Sequence, residues 1–180
     1  MLTQLFYTIY NMQYSVLLIV VILLLAAGGL LHIFLSERAK HIVGIVGTAL
    51  ALWLIIYATI LSRSETGGGM MLTPGYSIKR AMESSIYLRM VLLNIFLFIP
   101  YGVFVTLAFD GESFKKTLLI SILSALCITV LIEVTQVLFR LGTAETDDVI
   151  LNVFGAFLGI LPYIIVRSVR ERRQMRHSQQ

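Results

Sequence analysis

Polar side chains interrupt this chain at wide intervals, and the apolar intervals between them approach or exceed the length needed to cross a bilayer. Five stretches, approximately 14 to 35, 42 to 62, 87 to 109, 117 to 139 and 149 to 166, are built mainly of Leu, Ile, Val, Phe, Ala and Gly. About 20 such residues span a hydrocarbon core of about 30 Å when helical, so each stretch predicts a transmembrane helix. The expected fold is an all-α membrane protein, a bundle of about five transmembrane helices forming one domain over residues 1 to 180. The first stretch has no basic residues ahead of it and stays apolar past Ala26 to Gly29, as a retained helix does and a cleaved signal peptide does not.

The connections set the direction of threading. A basic tail, 167 to 180, follows the last stretch and carries five arginines within R-S-V-R-E-R-R-Q-M-R. Placed in the cytoplasm, with five crossings, it puts the amino terminus outside. Arg38, Lys40, Lys115 and Lys116 then join the five tail arginines inside, nine against the five of Arg63, Lys79, Arg80, Arg89 and Arg140 outside. The outer loop 63 to 86 contains a glycine run and a Pro-Gly turn, and Ser77 to Tyr87 suits a short interfacial helix with Ile78, Met82 and Ile86 toward lipid. The other outer loop, 141 to 148, is short enough to make the last two spans antiparallel neighbours.

Composition narrows the function classes. With 58% hydrophobic and 13% charged residues, and a mean hydropathy of +0.88, a soluble globular enzyme is excluded. The arginine tail reads as a topology anchor against anionic headgroups, and no nucleic-acid partner is expected. Cys127, the one cysteine, sits within a span and reads as core packing; no disulfide framework can form. His32, His41 and His177 lack metal-ligand spacing, so neither metal nor cofactor is expected.

The candidate chemistry lies in I-E-V-T-Q-V-L-F-R, residues 132 to 140, where Glu133, Gln136 and Arg140 fall at i, i+3 and i+7 on one helical face. Glu133 lies about 10 Å along the helix from Arg140, Asn152 roughly 6 Å from Asp148, and Asn94 about eight residues into the third stretch. Three spans therefore bring acid, amide and guanidinium groups to the same half of the bilayer. The fourth stretch has fourteen Leu, Ile, Val and Phe from 118 to 139, worth roughly −4 to −8 kcal/mol of insertion. A central acid costs about +2.5 to +3.5 kcal/mol, so the helix can carry Glu133. An internal polar clamp and a ligand or catalytic site both fit.

Asp148, Asn152, Gly155 and Gly159 share a narrow face of the fifth stretch, the two glycines forming G-x-x-x-G. If that face meets the fourth stretch, Asp148 and Asn152 come up against Glu133, Gln136 and Arg140. Pro100 removes a backbone donor in the third stretch, leaves the Phe96 carbonyl without its usual partner and predicts a kink.

As a set, N-I-F-L-F-I-P-Y-G (94 to 102), I-E-V-T-Q (132 to 136) and D-D-V-I-L-N-V-F-G-A-F-L-G (147 to 159) resemble the VanZ-like family, associated with resistance to teicoplanin. The resemblance covers roughly Arg89 to Gly159. Its polar signature falls on Asn94, Glu133, Gln136, Asp148 and Asn152, with Arg140 a looser match; Glu145 stands where a familiar form of the acidic loop has Asp. It implies reduced susceptibility to lipoglycopeptides and a multi-pass protein of the bacterial plasma membrane.

The leading expectation is recognition of an amphiphile at the outer leaflet: a lipid, a lipid-linked wall precursor or the acyl tail of a lipoglycopeptide. Its ligand-binding candidates are Asn94, Glu133, Gln136, Arg140, Asp147, Asp148 and Asn152, with Arg140 engaging phosphate or carboxylate. The alternative is an intramembrane enzyme acting on a lipid or lipid-linked substrate, with Glu133 and Asp148 as catalytic acid and base. No serine, cysteine or histidine nucleophile arrangement accompanies them. A transporter or scaffold is the third class; no inverted repeat supports it, and a homodimer would supply the missing surfaces.

Overall fold

The computed structural model describes residues 13–64 and 68–177. The chain forms α1 (Tyr14–Phe34), α2 (Glu37–Ile56), β1 (Gly69–Met71), α3 (Tyr76–Glu83), α4 (Ser85–Ala108), α5 (Phe114–Leu138), β2 (Thr143–Glu145) and α6 (Thr146–His177). Five of these helices are long and apolar enough to cross a membrane, as the hydropathy pattern predicts. α2 begins at Glu37, earlier than the apolar run, because Ser36 caps it by accepting from the Ala39 amide at 3.4 Å. Ser113 does the same for α5 through Lys116. The arginine-rich segment is no separate tail: α6 continues as one helix to His177, 32 residues or about 48 Å.

α4 is the central helix. Its residues Phe98, Tyr101 and Val105 form a core with Ala51 and Ile55 of α2, Ala125 and Ile132 of α5, and Ala156 of α6. α4 runs as a single helix through Pro100, and α6 through Pro162. The G-x-x-x-G face of α6 meets α4, not α5. A Cβ on Gly155 would stand 2.1 Å from the Ile95 carbonyl oxygen, one on Gly159 equally close to that of Ile99, and one on Gly102 equally close to that of Ala156. Gly102 explains the choice: it supplies a facing small residue that lets two backbones touch, whereas α5 contains no glycine. Cys127 also departs from expectation, since it is exposed on α5 and takes no part in the core.

The loop after α2 is more ordered than a linker. α2 continues into a wider π-helical turn, Tyr57–Leu61. β1 then pairs in parallel with β2, Met70 opposite Ala144. Pro74 and Gly75 make a type II turn, with Gly75 at φ 82° and the Tyr76 amide donating to the Thr73 carbonyl at 3.4 Å. The short helix expected over Ser77 to Tyr87 ends at Glu83; α4 starts at Ser85, with Arg80 lying 4.9 Å over the Tyr87 ring. Ile78, Met82 and Ile86 are exposed, as a lipid-facing stripe requires.

At the opposite end of the bundle a buried ionic knot joins four helices. Asp110, in the α4–α5 connection and 4% exposed, lies 2.6 Å from Lys40 Nζ of α2 and 3.4 Å from His32 Nδ1 of α1. Thr106 donates its hydroxyl to backbone carbonyls, so His32 Nε2 donates to Thr106 Oγ1 at 3.2 Å. From α6, Arg167 donates to the Asp110 carbonyl at 3.3 Å and Arg170 to that of His32. Burial works to raise the Asp110 carboxyl, but the hydrogen bonds and charges of His32 and Lys40 overcome it and hold the group down to about 2.

Candidate functional site

The acids and amides of the apolar spans gather where α4, α5 and α6 meet the β1–α3 loop. Asn94 of α4 donates to the Asp148 carboxylate of α6. Glu133 of α5 is 8% exposed and accepts from the Glu145 backbone amide at 2.9 Å. It makes no hydrogen bond to Asn94 or Asn152 among the described residues, yet its charge acts on Asp148, as do those of Glu145 and Asp147. The cation that acts on both Glu133 and Asp148 is Arg63, at the end of the π-helical turn, and not Arg140. Among the described residues, no group of three or more His, Cys, Asp or Glu is placed to hold a metal ion.

Three of the candidate residues work as internal braces. Gln136, 1% exposed, donates to the Thr59 carbonyl at 3.0 Å, satisfying an acceptor where α2 ends and no further helical donor follows. Asn152 donates to Thr129 of α5 at 2.8 Å. Asp147 reaches across from α6 to cap α3: it accepts from the Gly75 amide at 2.6 Å and the Ser77 amide at 2.7 Å. Ser77 in turn donates its hydroxyl to Glu145. Replacing Asp147 by alanine should therefore leave the buried Ser77 amide unpaired, at about 1 to 3 kcal/mol, along with the partly buried Gly75 amide, and release α3. Faster hydrogen exchange at Ser77 and Ile78, with α4 and α6 unchanged, is the expected signature; protection equal to wild type would show the cap to be dispensable.

Arg140 stands apart from the cluster that its helical spacing predicted. α5 ends in a Schellman cap, Leu141 N donating to the Gln136 carbonyl at 2.9 Å and Arg140 N to that of Val137 at 3.3 Å. Arg140 occupies the left-handed position of that cap at φ 53°, where glycine is usual and a side chain costs about 1 to 2 kcal/mol. The backbone reversal swings its side chain off the Glu133 face and into an open depression of about 490 Å³, lined also by Gly68, Gly69, Met70 and Val137. Sequence spacing alone missed this because it assumed one unbroken helix through residue 140.

The arrangement is thus a layer of acids with one basic group, roofed by a short amphipathic helix that Asp147 caps. Acceptors of this kind bind N–H and O–H donors, and a cation near them balances the charge. Arg63, Glu145, Thr129 and Thr59 are the partners that sequence reasoning did not assign. Arg63 and Glu145 sit in polar loops where a charge is unremarkable, and Thr59 acts only through its carbonyl. A family model described as VanZ/LLP1 matches residues 45–167. No curated protein and no solved structure matches the chain.

Proposed function

The chain belongs to the VanZ/LLP1 family, and on that premise we propose that it recognises an amphiphile at the outer leaflet of a bacterial plasma membrane and so lowers susceptibility to lipoglycopeptides such as teicoplanin. The observation that carries this reading is the placement of Glu133: it is buried and hydrogen-bonded inside a polar layer shared by α4, α5 and α6. A merely tolerated acid in a lipid-facing helix has no need of such surroundings. The excess of Lys and Arg on the loops at the other end supports an outer position for this layer under the positive-inside rule. There a headgroup with hydroxyl or ammonium donors meets the acids while its chain lies along the exposed faces of α3 and α5.

The test is drug protection in a susceptible bacterium expressing the protein. Glu133→Gln, Asp148→Asn and Asn94→Ala should each return teicoplanin susceptibility to that of cells lacking the protein, at unchanged membrane abundance. Wild-type protection by all three would remove the site from consideration.

A second reading, an intramembrane enzyme, draws on the field of Glu133 at Asp148. One would act as acid and the other as base on a lipid-linked substrate. Mass spectrometry of lipids and wall precursors separates the two: a covalent species that appears or vanishes with the protein favours chemistry, and an unchanged profile favours binding.

A further inference from the structure

The depression beneath Arg140 is a separate feature from the acid layer, and three observations bear on what it holds. First, among the described residues no hydrogen bond or ion pair engages the Arg140 guanidinium. Second, the chain sets this arginine at a backbone position that favours glycine, and it does so at the rim of the depression. A residue held in such a conformation against its preference points to a use for its side chain. Third, the surround is apolar: Met70 is 63% exposed, Leu72 68%, Leu138 72% and Phe139 64%, all close in sequence to the lining segments. A cation beside exposed apolar side chains at a bundle end matches a molecule with one anionic group and a hydrocarbon chain.

We propose that this depression seats the phosphate of an anionic phospholipid, with Arg140 forking onto two phosphate oxygens and the acyl chains lying against Leu138 and Phe139. The proposal rests on the amphiphile reading and names the chemical class of its ligand. A guanidinium suits the task because its planar donors pair two phosphate oxygens at once, which an ammonium cannot do. Gly68 lies against the same wall, since a Cβ there would stand 3.5 Å from the Arg140 side chain and from the Val137 carbonyl, an ordinary contact. The acid layer of Glu133, Glu145, Asp147 and Asp148 repels a phosphate, which leaves Arg140 as the group that attracts one at this depression.

Arg140→Gly gives a clean test, because glycine is the preferred residue at that cap and the substitution does not threaten folding. Both proteins would carry Arg172→Gln, Arg173→Gln and Arg176→Gln, which removes three exposed basic groups at the other end. Native mass spectrometry of the purified full chain would then count retained phosphatidylglycerol and, separately, diacylglycerol. The parent with Arg140 should retain phosphatidylglycerol over diacylglycerol, and Arg140→Gly should lose that preference by at least about tenfold, with a melting temperature no lower than its parent. Arg140→Lys should recover only part of it. Equal phosphatidylglycerol retention with and without Arg140 overturns the phosphate seat, as does complete displacement of the lipid by millimolar glycerol phosphate. If Asn94→Ala nevertheless lowers retention of both lipids, the amphiphile reading survives that failure; if no variant of either group changes retention, both fall together.

Discussion

Replacing Asp110 by asparagine should lower the stability of the detergent-solubilised protein by about 3 to 5 kcal/mol, the cost of leaving a buried cation without its counter-charge. Lys40 is 1% exposed on its side chain, and with Asp110 neutral its remaining partner is Glu37, which is 70% exposed and faces water. Adding Lys40→Met to the same chain should recover much of the loss, because the stranded charge is then gone. The pH dependence has a definite sign. The folded carboxyl is held at about 2 against an ordinary 3.8, so its contribution is complete above about pH 4 and disappears as pH falls toward 2. The gap between wild type and Asp110→Asn should accordingly narrow over that interval by about 2 kcal/mol. Unfolding curves that keep the two proteins equally far apart at pH 2 and pH 5 would show that the knot is not electrostatic.

The second large effect concerns the contact between α4 and α6. Gly155→Ala drives a methyl to 2.1 Å from the Ile95 carbonyl oxygen, and Gly159→Ala does the same at Ile99. Alanine gains about 1 kcal/mol in helix propensity over glycine. Overpacking against backbone, which cannot rotate away, costs about 3 kcal/mol. The net expectation is a loss of about 2 kcal/mol for each substitution, together with loss of the drug protection proposed for this site, because parting the helices parts Asn94 from Asp148. Gly111→Ala, with nothing within 4 Å of the added carbon, is the matched control and should be neutral. Melting temperatures for Gly155→Ala at or above wild type would mean that the backbones do not touch.

The hydropathy pattern made the five crossings legible, since length and apolarity are read one residue at a time. Asn94, Glu133, Asp148 and Asn152 were equally legible as polar positions in apolar runs, and the structure brings their helices together. What each one meets was not legible, because a partner is a property of two helix faces and their rotation. The G-x-x-x-G face went to α4 in place of the adjacent α5 because Gly102 gives it a groove, a match visible only when both helices are held side by side. His32, Lys40 and Asp110 were each unremarkable in isolation: a histidine near a helix end, a lysine and an aspartate in short connections. Their convergence depends on three helices ending at one level. The course of Arg140 was hidden for a different reason, since nothing in the composition of residues 136 to 141 marks a left-handed turn where glycine is absent.

The parallel pairing of β1 with β2 carries a consequence for biogenesis. Its two strands are separated in the chain by α3, α4 and α5, so the pair cannot close until residue 145 has emerged from the ribosome and three helices have been laid down. Asp147, which fixes the start of α3, arrives later still. The roof over the acid layer is therefore among the last parts of the molecule to set, and during synthesis the nascent chain holds that layer open to the bilayer surface. A chain stalled before β2 would insert four helices and still lack the clasp, a state that membrane quality-control proteases are placed to recognise.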